Sequence, residues 1–266
     1  MTGPRMLEGQ VAVVTGAGRG IGRGGAVCLG RWGAKVSLLA RTVVELEETK
    51  LLVEAAGGEA LVCAVDVRDT CELERALDRT EQVLGPITHL CNNAAVLDYL
   101  PFEDTTPEAW NRTLETNLGA AYHASRIIYP RLLARGGGTI HNVSSAAGIR
   151  GFAGETAYCA AKFGLEGLSR ALALEAAPRG IIVTLSSPGI RTKPTSLTME
   201  DFRRMPRKQA ETWADPLVMG DAFAFLAHTR DKAIAGRRFS LFKLSELVRR
   251  KGTLDLPTDE ALSAEG

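Results

Sequence analysis

Short apolar runs of β type alternate along this chain with longer segments of helical period, and few folds accommodate that order. "QVAVVT" (10–15) precedes a helical pattern over 20–32, "AKVSLLA" (34–40) one over 42–56, "EALVCAV" (59–65) one over 69–84, and "ITHLCN" (87–92) one over 107–134. The rhythm resumes with "GTIHNVSS" (138–145), a helix over 155–177 and "GIIVTLSS" (180–187). Strands built almost wholly of Val, Ile, Leu and Ala are buried on both faces, and their alternation with helices implies parallel strands joined by right-handed crossovers. The pattern predicts an α/β fold with a doubly wound parallel sheet of Rossmann type, flanked by helices. Glycines at 33, 57–58, 85 and 136–138 supply turn signals where that scheme needs them.

A chain of 266 residues with 45% hydrophobic side chains can bury one large core, so a single domain is expected over 1–252. Within it, 190–215 loses the pattern and reads as a substrate loop. Residues 253–266, acidic and rich in small side chains, read as a flexible tail. A formal charge of +1 gives no basic field for nucleic acid. Five cysteines in an odd set without metal spacing suit reduced thiols, and no metal site is expected. No signal-peptide h-region and no run of about 18 apolar residues is present, so the expectation is a soluble cytoplasmic protein without a membrane partner.

"TGAGRGIG" (15–22) follows the first strand directly and places Gly16, Gly18, Gly20 and Gly22 at the turn into a helix. Backbone without side chains can approach a pyrophosphate closely, and the helix N-terminus favours its charge. A strand before and a helix after make this a dinucleotide cradle. Gly24 and Gly25 lie beyond the turn, where close helix packing explains them. At the end of the second strand, where an NAD site usually carries an acid for the ribose, the chain has Ala40 and Arg41. Arg41, with Arg19 in the glycine turn, suits a ribose phosphate, so NADP is favoured over NAD. Plain solvent exposure is the lesser reading of two arginines at loop ends.

Tyr158 and Lys162 are four residues apart on one helix face, thirteen residues beyond Ser145 at the end of a strand. A phenol of pKa about 10 needs roughly 4 kcal/mol of phenolate stabilisation to titrate near neutrality. The lysine charge, an oxidised nicotinamide and a dry cleft could supply it. Tyrosine then serves as general acid to a carbonyl oxygen or base to an alcohol, with Ser145 bonding the same oxygen. Alone, a tyrosine and a lysine at this spacing are ordinary on an amphipathic helix.

The wider order is not ordinary. "TGAGRGIG", "DV" (66–67), "NNAA" (92–95), "TNLGAAYHASR" (116–126), "NVSSAAG" (142–148), "YCAAK" (158–162) and "PGIRT" (188–192) together resemble the short-chain dehydrogenase/reductase family from residue 8 to about 240. The resemblance implies an NAD(P)-dependent oxidoreductase acting on a carbonyl or secondary alcohol. It implies cofactor contacts from Thr15, Gly16, Gly18, Arg19, Gly20, Ile21, Gly22, Arg41, Asp66 and Val67, and from Asn93, Ala94, Ala95, Pro188, Gly189, Ile190 and Thr192. Tyr158 would be the acid/base, Lys162 would depress its pKa and bind the nicotinamide ribose, Ser145 would orient substrate, and Asn117 would support a water-mediated proton relay.

The resemblance also implies a homo-oligomer, dimer or tetramer, through the helices near 107–134 and 155–177. Departures are Ala95 for the usual glycine, Thr184 for asparagine, a Pro-Gly turn whose threonine comes one residue early, and loss of the motif after Gly236. His89, His123, His141, His228, Trp32 and Trp110 read as structural, and Trp213 as packing near the substrate loop. An NAD-linked alcohol dehydrogenase, or a nucleotide-sensing protein of the same fold without turnover, are the alternatives. Nothing in 96–105 or 190–215 names a substrate.

Overall fold

The computed structural model describes residues 5–190 and 214–266. The expected six strands form, β1 (Val11–Thr15), β2 (Lys35–Ala40), β3 (Glu59–Ala64), β4 (His89–Asn92), β5 (Gly138–Val143) and β6 (Ile181–Ser187), and a seventh, β7 (Arg238–Ser240), joins them. All pairings are parallel in the order β3-β2-β1-β4-β5-β6-β7. The order reverses between β1 and β4, and a crevice opens there at the carboxyl ends of the strands, where open α/β sheets bind their ligands.

Helices cover both faces. On one, α1 (Gly20–Arg31) packs Leu29 with Phe223 of α7 (Gly220–His228) and Leu244 of α8 (Leu241–Lys251). On the other, α3 (Thr70–Leu84), α5 (Ala120–Ala134) and α6 (Thr156–Ala176) bury Leu77, Ile128 and Ala173. Side chains start the helices where the sequence offers acceptors. Asp69 caps α3 through the Glu72 amide at 2.9 Å, and Thr106 caps α4 (Pro107–Leu114) through the Ala109 amide at 3.2 Å.

Gly24 and Gly25 are explained by packing. A methyl at Gly25 would lie 2.4 Å from the Phe223 ring, and one at Gly24 would lie 2.7 Å from the Pro216 carbonyl oxygen. Trp32 is buried with its indole N–H on the Asp221 carboxylate at 2.9 Å. His89 and His141 stack in the middle of the sheet at 6.4 Å, where burial holds both neutral: His141 is pushed down to about 3, and His89 well below the ordinary imidazole value.

The tail corrects an expectation. Residues 253–266 form α9 (Thr258–Leu262) and bury Leu254, Ala261 and Ala264 in the main core. Their last residues pair antiparallel with β7, through Phe239 and Glu265, and the Ser240 amide donates to Ala264 at 2.9 Å. Composition misled because small side chains suit a close-packed flap as well as a loose end. The flap covers the outer edge of β7, a position open strands leave unpaired. Most of the 190–215 segment, with Thr192 and Trp213, lies outside the described residues.

Candidate active site

The crevice at the sheet's switch point is a cleft of about 390 Å³, within the usual range for small-molecule sites. The glycine turn floors it. Gly16 and Gly20 take φ of +67° and +58°, and a methyl at Gly22 would lie 2.3 Å from the Gly16 carbonyl oxygen. The turn is stitched to the end of β4. The Thr15 hydroxyl receives the Asn93 and Ala94 amides at 2.9 and 3.0 Å, while the Asn93 side chain donates to the carbonyls of Thr15 and Gly16 at 2.9 and 3.2 Å. Thr15 and Asn93 therefore shape the cradle through its backbone. Sequence reasoning missed Arg23 and Thr49, which brace the other side. Arg23 Nε donates to the Gly18 carbonyl and to the Thr49 hydroxyl, each at 3.0 Å, and Thr49 donates to Ala17 at 3.0 Å.

Beyond the turn the cleft runs past Ala40 and Arg41 toward Asp66, Val67 and Arg68. Arg41 is exposed, with no carboxylate within 4 Å among the described residues. Arg19 lies 3.5 Å from Glu45 of α2 (Val43–Ala55), which also lines the cleft. Asp66 is gripped by Arg68, which donates through Nε at 3.1 Å and Nη2 at 2.7 Å and holds the carboxyl below its ordinary range. Ala95 is exposed on the cleft wall, so its extra methyl crowds no backbone.

At the other end Ser145, Tyr158 and Lys162 line the same cleft. Lys162 is buried and donates to the Val143 carbonyl at 2.8 Å, its ammonium 5.6 Å from the centre of the Tyr158 ring. Burial pushes this lysine down to about 8, against a Glu166 charge that pulls it up. Without a nicotinamide, Tyr158 is shifted upward. Burial raises its phenol to about 12, Ser145 opposes the rise by hydrogen bonding, and Glu155 and Cys159 add to it. Desolvation of the phenolate outweighs the Ser145 hydrogen bond that opposes it.

Asn117 sits in a π-helical turn (Glu115–Gly119) between α4 and α5 and is buried. Its amide is spent on Val96, accepting from that residue's N–H at 2.7 Å and donating to its carbonyl at 2.8 Å. The side chain thus fixes the wall after β4, using one donor and one acceptor site of its amide. Pro188 lines the cleft and its carbonyl receives the Phe242 amide at 3.1 Å. Gly189 has φ +78° and meets Ser240, and Ile190 leans on the core.

Comparison with known proteins agrees with this geometry. Residues 10–205 match the family model described as short chain dehydrogenase. A (-)-trans-carveol dehydrogenase of Rhodococcus erythropolis is 33% identical over 263 residues, spanning 86% of this chain and 95% of that protein. The carveol dehydrogenase of Mycobacterium avium, solved with NAD, superposes with a TM-score of 0.79 at 27% identity, covering 89% of this chain and 96% of that one. A protein assigned as an NAD(P)-dependent gluconate 5-dehydrogenase from Beutenbergia cavernae, with bound NADP, gives 0.77 at 32% identity over 89% and 96%. The sheet order, the glycine cradle and these matches together make the chain a member of the short-chain dehydrogenase/reductase family, an NAD(P)-dependent oxidoreductase of alcohols and carbonyls.

Proposed function

We propose that the chain is an NADP-preferring carbonyl reductase in which Tyr158 delivers the proton. The observation that carries this reading is the geometry of one cleft: the glycine turn lines one end, Ser145, Tyr158 and Lys162 the other, with the Lys162 ammonium 5.6 Å from the centre of the Tyr158 ring. A carbonyl oxygen seated against Ser145 and Tyr158 would receive the phenolic proton as negative charge grows on it. Lys162 limits the charge left on the tyrosine. The nicotinamide, when bound, supplies or accepts the hydride.

The residues present suit that cofactor. Side chains are excluded from the turn at Gly16 and Gly22, where a methyl would meet backbone at 2.9 and 2.3 Å. Asp66, kept ionised by Arg68, offers acceptor oxygens at the adenine end. Arg41 and Arg19 are the donors for a ribose phosphate. Asn117, fixed against Val96 by its amide, would support the proton path. NAD use is the second reading, favoured by the Glu45 carboxylate that shares the cleft with Arg19.

The test is a panel of ketones, sugars, steroids and acyl thioesters, with the reactive diketone diacetyl, followed by NADPH and NADH absorbance. Turnover faster with NADPH supports the reading, and turnover only with NADH overturns its cofactor half. Cofactor binding without turnover anywhere on the panel would favour the sensing alternative. The exposed apolar residues Tyr122 of α5 and Phe163 and Leu174 of α6 support a homo-oligomer through those helices, to be checked by light scattering. Five free cysteines suit a reducing, cytoplasmic setting.

A further inference from the structure

The family pattern fades after Gly236, yet the next strand carries the most heavily bonded buried cation near the site. Arg238 of β7 is buried, and its fork reaches three elements. Its Nε donates to Glu166 Oε1 at 2.9 Å, its Nη2 to the carbonyl oxygen of Ser145 at 2.9 Å, and its Nη1 to the backbone oxygen of Gly266 in the flap. Glu166 is one turn beyond Lys162 on α6, with its other oxygen on Arg170 at 3.0 Å.

The end of β5 is thereby fastened to the catalytic helix twice. Carbonyls two residues apart on extended backbone point the same way. That of Val143 takes Lys162, and that of Ser145 takes Arg238. Between them the short turn Ala146–Gly148 lies against α6 so closely that a methyl on Gly148 would be 3.0 Å from Glu166 Cγ and 3.1 Å from the Lys162 carbonyl. One guanidinium thus touches both halves of the reacting constellation, the loop that presents Ser145 and the helix that presents Tyr158 and Lys162.

Stability is a poor account of this arrangement, because a buried ion pair is often no more stabilising than apolar side chains of the same volume. What a planar fork with fixed donor angles provides is a set distance between the groups it bridges. We infer that Arg238, with Glu166 as its buried counter-charge, is a positioning residue that sets the placement of Ser145 relative to Tyr158 and Lys162. The inference rests on the catalytic reading of those three residues. Small displacements at a proton-transfer site are costly in rate.

The experiment compares Arg238→Lys, and the double variant Arg238→Met/Glu166→Met, with wild type. Arg238→Met alone is added as a control and is expected to lose as much kcat as the double variant, since Glu166 keeps Arg170 there and its charge still supports the Lys162 ammonium, which the double variant loses. NADPH affinity, read by energy transfer from protein tryptophan, is expected to stay within about twofold in each. With diacetyl as substrate, kcat is expected to fall at least tenfold in the double variant, with an intermediate loss for Arg238→Lys. A double variant that melts and turns over like wild type reduces Arg238 to a packing element and overturns the inference.

If wild type reduces no carbonyl on the panel, the catalytic reading fails separately, and the phenol still decides the question. The ionisation of Tyr158 with NADP⁺ present is then read by ultraviolet difference against Tyr158→Phe. Its charged and titratable surroundings are Lys162, Glu155 and Cys159 on its own helix, Ser145 from β5, and Glu166 with Arg238 behind the lysine. An upward move of about one unit in Arg238→Met, where the Glu166 charge is retained, supports the inference, and an unmoved midpoint overturns it.

Discussion

The two ends of the cleft are built on opposite principles. Around Ser145, Tyr158 and Lys162 the charged groups are buried and held by named partners: Lys162 on Val143, Arg238 on Glu166 and Ser145. Around Arg41, Arg19 and Glu45 they are solvent-facing and lightly held, the closest contact between Arg19 and Glu45 being 3.5 Å. Desolvated groups have large, fixed effects on one another, while exposed ones are screened and adjustable. The inner end should therefore govern whether chemistry occurs, and the outer end which cofactor takes part.

The sharpest way to break this contrast is Tyr158→Phe. Loss of the proton donor is expected to cut kcat by about 10³-fold while leaving NADPH affinity within about twofold, measured by steady-state kinetics and fluorescence titration. Comparable loss of binding would show that the inner end holds cofactor rather than directing proton transfer. Next in size, Gly22→Ala puts a methyl against backbone at 2.3 Å. Either cofactor should bind at least about 100-fold more weakly, since a single lost or misplaced set of pyrophosphate contacts spans several kcal/mol. Calorimetric titration would read it.

Arg41→Ala should weaken NADP⁺ by about tenfold or somewhat more and leave NAD⁺ unchanged, the worth of one charge-assisted contact at an exposed site. Equal losses for both cofactors would place Arg41 away from the ribose. For the inner end, the lysine is charged below about 8 and neutral above it. Reduction should hold a plateau at lower pH and decline as pH rises through about 8, and a decline starting near 10 would show that burial does not depress Lys162.

The sheet between the two ends supplies the smallest effect. Folded His141 stays neutral down to about 3, whereas the unfolded chain takes up that proton below about 6.5. Stability is complete above that value and falls as pH drops, by up to about 1.4 kcal/mol per unit for each such histidine. Thermal melting between pH 7.5 and 5 would reveal it, and a flat midpoint would contradict neutral burial.

Much of the scaffold was legible because it is written in local pattern. Six strands, the glycine turn and the Tyr158–Lys162 pair all follow from neighbours within a few residues. What escaped depends on partners brought from afar. Arg238 meets Ser145 across 93 positions and Glu166 across 72, and no periodicity announces either bond. β7 is only three residues long, too short to carry a pattern of its own. That the Asn117 amide closes on Val96 is likewise a fact of tertiary contact. The sequence names the cation beside the Tyr158 phenol but not how deeply both are buried.

The interlock of α1 with the turn at Pro216 bears on how far this molecule can be treated as modular. Gly24 admits Pro216, and Gly220 lies where a methyl would come within 2.3 Å of Cys28. The cofactor-side helix and the segment from Pro216 to Gly220 share one surface without tolerance for an added carbon. Grafting a relative's specificity segment onto this scaffold would therefore require transplanting positions 24, 28 and 220 along with it, however distant they look on paper.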